Sequence, residues 1–386
     1  MSGSPRLWCA RLTLADFRNH AALDLALDAR PVCLYGPNGA GKTNILEALT
    51  QIAPGRGLRG AGLLDVAGGG PELGARRARA WAVSARFISD DTEIHLGVGA
   101  DSTPDGGVKR VARLNGGPAN AGELARAVRM SWVVPAMDRL FAGGAGDRRR
   151  FLDRLVLGRA SEHGAQSAAY ERALRERQRL LGEGRADPAW LSGLEREMAA
   201  HGAAIAAARV ETLLLLDAAI AARPEGAFPK AALALAGGLE ARFLAGARSA
   251  DVEEDFADML EATRARDAAA GRALDGPHRS DLLVRHAAKD MEAAQCSTGE
   301  QKALLIGIAL AHARALADDP GAGPALMLLD EAGAHLDADR RAALFDELIA
   351  GAGQAWLTGT DRSLFDAFGA RAQMFEVRDG AVGPAN

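Results

Sequence analysis

The chain has 386 residues, 48% of them hydrophobic and 25% charged, which excludes bulk disorder and suits two domains or one large α/β domain with an insertion. Its net charge is −4 and its isoelectric point about 6.1, so no overall positive field exists to coat nucleic acid, and any DNA contact must come from a local patch. Cys9, Cys33 and Cys296 are odd in number and lack CxxC spacing. This argues against a disulfide framework or zinc site and for a reducing compartment. No stretch approaches the ~20 apolar residues of a membrane span and no leader pattern opens the chain, so a cytoplasmic protein with no membrane partner is expected.

Leu7 to Leu27 alternates as two strands with a turn at Asp16–His20. Pro31 to Tyr35 is a short apolar run that reads as a buried strand. A glycine-rich turn follows, then an apolar-periodic helix from Thr43 to Gln51. Within 79–99, Trp81, Val83, Ala85 and Phe87 alternate, as do Ile94, Leu96 and Val98. Val108–Leu114 is a further strand ending at the tight-turn pair Asn115-Gly116, so this region predicts an antiparallel meander.

From about 147 to 268 the chain is rich in Ala, Leu, Arg and Glu, and helices are predicted over 161–181, 188–223 and 250–271, broken by Pro224, Gly226 and Pro229. Nine Arg face four acids between Arg148 and Arg179, and seven acids face two Arg between Asp251 and Asp267. Either these segments pair, or the basic one meets a polyanion. The last third predicts a helix over 297–317, a strand over 325–329, a helix over 340–349 and a strand over 355–358. The fold class is therefore α/β, with a head made of 1–146 and 272–386 interrupted by a helical insertion over 147–271.

Gly36-Pro37-Asn38-Gly39-Ala40-Gly41-Lys42-Thr43 fits G-x-x-x-x-G-K-[ST], between a strand and a helix as that motif requires. Glycines let backbone N–H groups wrap phosphate oxygens, and the helix N-terminus adds positive potential. Lys42 can bridge β- and γ-phosphates and the Thr43 hydroxyl can ligate Mg²⁺, so ATP with Mg²⁺ is the expected ligand. Ala325–Leu329 ends in Asp330-Glu331. Asp330 would hold the metal and Glu331 would polarise the attacking water. Lys42, Asp330 and Glu331 are the candidate catalytic set.

Ser297-Thr298-Gly299-Glu300-Gln301-Lys302 opens a long apolar helix 33 residues before Asp330, and Ser297 with Glu300 fits a capping box. Ser297, Gly299 and Gln301 also resemble the signature motif of ABC-type ATPases. That resemblance implies a second anion site, which caps the γ-phosphate bound by another copy, so that ATP joins two heads. Asp337, in Ala334-His335-Leu336-Asp337, is similar to the loop that crosses such a dimer seam. His335 itself serves packing or chemistry.

The 287 residues between Thr43 and Asp330 exceed what a compact transporter subunit needs. Phe17-Arg18-Asn19-His20, Gly55-Arg56-Gly57-Leu58-Arg59, Leu114-Asn115-Gly116, Arg148-Arg149-Arg150-Phe151-Leu152-Asp153 and Gly276-Pro277-His278-Arg279-Ser280-Asp281-Leu282 together resemble the bacterial RecF family over nearly the whole chain. The resemblance implies an ATP-dependent homodimer that binds single-stranded and linear double-stranded DNA. With RecR and RecO it would assist RecA loading at gaps, supporting recombination, DNA repair, replication restart and SOS induction. The alternative from another class is the ATP-binding subunit of a transporter.

Arg148, Arg149 and Arg150 are either solvated charge at a helix start or DNA contacts, and Arg175 and Arg179 are either a solvated helix face or DNA contacts. His278 and Arg279 anchor a loop or meet phosphate. ABC ATPases usually carry a glutamine before the helical part, and 80–150 contains none; Asp138 stands in that region as a candidate metal or water ligand. The usual switch histidine is also absent, with Thr358-Gly359-Thr360 in its place. Slow turnover follows as an expectation, below ~10 s⁻¹, about the median for enzymes.

Overall fold

A computed structural model describes the chain except residues 1–6, 54, 56, 69–79, 90–91, 104–106, 185–186, 320–323, 332, 334–335, 352 and 385–386. Arg56, Ala334 and His335 therefore lie outside the described residues. The chain forms two compact units, one of Met1–Asp138, Arg223–Pro229 and Thr298–Asn386, the other of Arg139–Ala222 and Lys230–Ser297.

The first unit begins with β1 (Leu7–Phe17), β2 (His20–Ala26), β3 (Val32–Tyr35) and α1 (Lys42–Ile52). Then come β4 (Trp81–Ser89), β5 (Thr92–Ser102), β6 (Val108–Leu114) and β7 (Gly117–Pro118). These strands, β3 aside, make one antiparallel sheet in the order β2-β1-β4-β5-β6-β7. Asn115 (φ 49°) and Gly116 (φ 84°) supply the two left-handed residues that a tight hairpin turn demands. Trp81, Val83, Ala85 and Phe87 all face the core, as their alternation predicts. After α2 (Ala121–Ala127), capped by the reciprocal Asn120–Glu123 box, comes β8 (Arg129–Val133), a strand too short and too mixed to stand out in the sequence.

The second unit comprises α3 (Ala145–Arg159), α4 (His163–Glu183), α5 (Pro188–Ala222), β9 (Ala231–Ala236), α6 (Gly238–Leu244), α7 (Ser249–Ala262), α8 (Arg264–Ala270), β10 (Asp281–His286) and β11 (Met291–Glu292). The long helices match expectation; the three-stranded sheet β11-β10-β9 does not. Residues 272–297 join this unit rather than the head because β10 pairs along the whole of β9, from Asp281↔Ala236 to His286↔Ala231. Ala-Ala-Leu-Ala-Leu-Ala has strong helix propensity, and strand pairing overrides it.

The helices of this unit are locked by charge as well as by apolar packing. Arg177 on α4 is fully buried and donates to Glu195 at 2.9 Å, to Asp267 at 2.8 Å and to the Leu260 carbonyl at 2.7 Å. Arg264 also reaches Glu195, at 2.5 Å. The basic and acidic helices thus pair, the first of the two outcomes open in the sequence.

The chain re-enters the first unit with α9 (Thr298–Asp318), β12 (Ala325–Leu329), α10 (Ala338–Ala350), β13 (Ala355–Gly359), β14 (Gln373–Arg378) and β15 (Ala381–Pro384). The second sheet of that unit runs β15-β14-β3-β13-β12-β8, parallel except for β15 at its edge. All five residues of β12 are buried, which fits its unbroken apolar run. Helix α1 touches strands of both sheets, and Ile45, Leu46, Ala48, Leu49 and Ile52 are buried. The C-terminal ends of β3, β12 and β13 share one edge, where parallel α/β sheets place ligands. Among the described residues no helix is long and apolar enough to cross a membrane.

Glu195→Ala leaves Arg177 with half its carboxylate partners and removes the main partner of Arg264. The expected loss is about 3–5 kcal/mol, read as an earlier fall of helical circular dichroism in denaturant, with the parallel-sheet unit unaffected.

Candidate nucleotide-binding site

The phosphate loop leaves β3 at Gly36 and enters α1 at Lys42. Gly36 has φ 149°, and a Cβ there would sit 2.1 Å from the Val377 carbonyl oxygen of β14. Gly41 has φ 113°, and its Cβ would strike the Asn19 and His20 side chains at 2.7 and 2.8 Å. Only glycine fits either place. The β1–β2 turn supports the loop from outside. Asn19 Nδ2 donates to the Ala40 carbonyl at 3.0 Å, and the buried His20 ring faces the carbonyls of Gly380 and Gly41 at 2.7 and 3.1 Å.

Two elements that resemble family motifs meet on α1. Fully buried Glu47 accepts from Arg18 at 3.0 and 2.6 Å and from Arg59 at 2.9 Å. Arg59 also donates to Asn44, which donates to Asn19. The Phe17–His20 turn and the loop ending at Arg59 are thereby fixed beside the phosphate cradle.

The Lys42 ammonium donates to the carbonyls of Gly36 at 2.7 Å and Pro37 at 2.9 Å. Burial pulls its pKa below the usual lysine value, and the charges of Glu331 and Asp330 pull it back up. Thr43 Oγ1 donates to Asp330 Oδ1 at 2.8 Å across 287 residues of sequence. Thr358 Oγ1, at the end of β13, donates to the same oxygen at 2.7 Å and accepts from the Glu331 amide at 2.9 Å. Glu331 stands at φ 51°, a left-handed conformation uncommon for a non-glycine residue. A hydroxyl and a carboxylate that converge this closely form a hard-oxygen pair suited to Mg²⁺.

The structure therefore brings together Lys42, Thr43, Asp330 and Glu331, as the motifs predict. It adds Thr358, which the sequence marked only by a missing histidine. Its signal was positional: Thr358 ends an apolar strand, and β13 lies beside β12. Ser297 and Thr298 are exposed at the start of the 21-residue α9, and Gly299 is half-buried. Gln301 is buried and faces the protein interior, unlike Ser297. Asp337 caps α10, accepting from the Arg340 amide at 2.8 Å.

The arginines divide. Arg148 forms a two-pronged ion pair with Asp281, at 2.8 and 2.7 Å, and donates to the Phe141 and Gly143 carbonyls. Arg149 donates to the Ser280 carbonyl at 2.7 Å. Both hold the Gly276–Leu282 segment, so their guanidinium groups are engaged inside the unit instead of facing outward. Arg150, Arg175 and Arg179 are exposed, each beside a carboxylate on its own helix: Asp147, Glu171, and Glu176 with Glu183. His278 anchors its loop. Its Nε2 faces the Ala273 carbonyl at 3.2 Å, so it donates there, and Nδ1 accepts from the Tyr170 hydroxyl at 2.8 Å. Burial lowers the pKa of this ring and favours its neutral form. Asp138 meets Lys302 at 3.5 Å.

Residues 11–62 match the family model described as an AAA domain. The chain is 51% identical over 379 residues to the DNA replication and repair protein RecF of Rhizobium meliloti (strain 1021), covering 98% of this chain and 99% of that protein. It is 51% identical over 376 residues to the protein of the same name from Agrobacterium fabrum (strain C58 / ATCC 33970), covering 97% of each. The solved structure of the recombination mediator protein RecF-ATPrS in the RecFOR pathway shares the fold, with a TM-score of 0.82, 20% identity and complete coverage of both chains.

Thr358→Val leaves Asp330 Oδ1 one donor short and the Glu331 amide unpaired, a cost of about 1–3 kcal/mol. Placed on the reacting geometry, that is roughly a 10–100-fold loss of nucleoside triphosphate turnover, with nucleotide affinity near that of the parent, measurable by steady-state hydrolysis alongside equilibrium binding.

Proposed function

The chain belongs to the RecF family of DNA replication and repair proteins, and from that membership we propose that it is an ATP-gated clamp on DNA. Two copies close on two ATP molecules. Each nucleotide lies between Gly36–Thr43 of one copy and Ser297–Gly299 of the other. The observation that carries this reading is the meeting of Thr43, Asp330 and Thr358 at one carboxylate oxygen. It supports reading the phosphate loop and the acidic turn as one site, and the exposure of Ser297 beside the start of α9 is compatible with a contact to the second copy.

Lys42 would exchange its loop carbonyls for β- and γ-phosphate oxygens. Thr43 and Asp330 would hold Mg²⁺, which supplies charge neutralisation at those oxygens when bound. Glu331, aimed by its left-handed turn, accepts the proton of the attacking water. The hydroxyl of Ser297 and the amide of Gly299 on the second copy donate to the γ-phosphate, helped by the positive end of α9. Hydrolysis then removes the group that joins the copies.

DNA binding without sequence readout rests on phosphate contacts. Arg150, Arg175 and Arg179 are the exposed candidates, and the neighbouring carboxylates weaken each of them locally. Arg148 and Arg149 keep the fold role described above. In the cytoplasm, with RecR and RecO, the clamp would assist RecA loading at single-stranded gaps. Replication restart and SOS induction follow from that. The transporter-subunit alternative is not favoured, since relatives matching the chain from end to end are replication and repair proteins.

The test is retention on gapped and linear DNA with ATP. Glu331→Gln freezes the ATP state and prolongs retention at least tenfold. Lys42→Met abolishes ATP binding and retention together. Ser297→Arg keeps ATP binding by the monomer and loses retention. Equal loss of ATP binding in Ser297→Arg contradicts the assignment of Ser297 to the facing site.

A further inference from the structure

We propose that Lys302 is the positioning residue through which the signature helix of each copy aims that copy's own Glu331, with Asp138 as its counter-charge. The inference rests on the nucleotide-sandwich reading above and specifies how that site is regulated.

Lys302 lies on the first turns of α9, three residues beyond Gly299, and is only 3% exposed. A buried ammonium is costly unless it is paired. Here its Nζ lies 3.5 Å from Asp138 Oδ2 and donates at 3.5 Å to the carbonyl oxygen of Glu331. One ammonium thus spans three elements: the signature helix, the segment leaving β8, and the turn that carries the acidic pair.

The position of that carbonyl matters. Glu331 is held in an uncommon backbone conformation, φ 51°. On one side its amide is fixed by Thr358 at 2.9 Å. On the other its carbonyl is fixed by Lys302. The two contacts clamp the backbone of the residue on both sides of its Cα, and so fix the point from which its carboxylate projects. The amide clamp is a firm hydrogen bond within the strand edge. The carbonyl clamp is at the long limit of hydrogen bonding, so a shift of α9 by a few tenths of an ångström tightens or breaks it.

Asp138 provides the second half of the device. It follows the turn at Pro135–Met137, and β8 is itself tied to the acidic turn by the Asp330 amide donating to the Val133 carbonyl at 2.9 Å. Asp138 Oδ1 is buried and has no hydrogen-bond partner among the described residues. That oxygen is a ready second acceptor for an ammonium that moves. When Ser297 and Gly299 engage the partner's γ-phosphate, α9 moves as a rigid rod and carries Lys302 with it. The contact to Glu331 closes, and the carboxylate is brought to its working direction. Each copy thereby hydrolyses its own ATP only after it has capped its partner's.

The experiment compares Lys302→Met, Lys302→Arg, Asp138→Asn and the Lys302→Met/Asp138→Asn double variant. It reads fluorescent-nucleotide binding, mass by light scattering with a nonhydrolysable ATP analogue, and turnover against ATP concentration. Lys302→Met is expected to bind nucleotide within about twofold of the parent and to dimerise, yet to lose at least tenfold in turnover and to bring the Hill coefficient toward one. Lys302→Arg restores much of both, and the double variant is no worse than Lys302→Met alone, as befits one unit. Parent-like turnover in Lys302→Met, or losses that add in the double variant, overturn the proposal. If Lys302→Met fails to fold, Asp138→Asn carries the test, and parent-like turnover and cooperativity there overturn it equally. A parent protein that does not dimerise with nucleotide overturns the sandwich reading itself, a failure visible before any variant is made.

Discussion

Two threonine hydroxyls donate to one oxygen of Asp330, from Thr43 at 2.8 Å and from Thr358 at 2.7 Å. Thr43 lies on α1, Asp330 just beyond β12 and Thr358 on β13, so the chain separates the first from the other two by about three hundred positions. The bonds set the depth of α1 against the parallel sheet and so the distance between the phosphate cradle and Glu331. A buried carboxylate oxygen needs its donors. In the proposed site the same oxygen and Thr43 would also hold Mg²⁺, so there the fold and the chemistry would share one interaction.

Around that point the architecture has a simple logic. The phosphate loop cannot be rigid by itself, because glycines give it freedom. Rigidity comes from outside: the Asn19–His20 turn below it, the Gly380 turn beside it, and the Arg18–Glu47–Arg59 cluster on the next turn of α1. The second unit has its own cohesion, with Arg177, Glu195, Arg264 and Asp267 as a buried ionic knot between helices. Such a knot defines how helices meet more than it stabilises them, since burying charge offsets much of the Coulombic gain.

Legibility followed locality. The phosphate loop could be read because its chemistry sits in eight contiguous residues, and the acidic turn because an apolar run ends in two carboxylates. The meander and the long helices announced themselves by period. What stayed hidden depended on partners far along the chain. Arg148 displayed a charge, but not that Asp281, 133 residues away, would neutralise it. Residues 231–236 fell in no predicted element: alanine and leucine carry no strand signal, and only pairing with β10 makes them a strand. Thr358 had no motif of its own. Its role is set by β13 running beside β12, an order that sequence alone leaves open. Lys302 was visible as part of a motif, but its reach to Asp138 and Glu331 was not.

The central claim is that two copies close on two nucleotides, and mass in solution measures it most directly. Light scattering of the parent protein with a nonhydrolysable ATP analogue and Mg²⁺ is expected to give twice the 40.2 kDa of the single chain, returning to one chain when nucleotide is withdrawn. A particle that keeps the mass of one chain under saturating nucleotide, with and without DNA, contradicts the account.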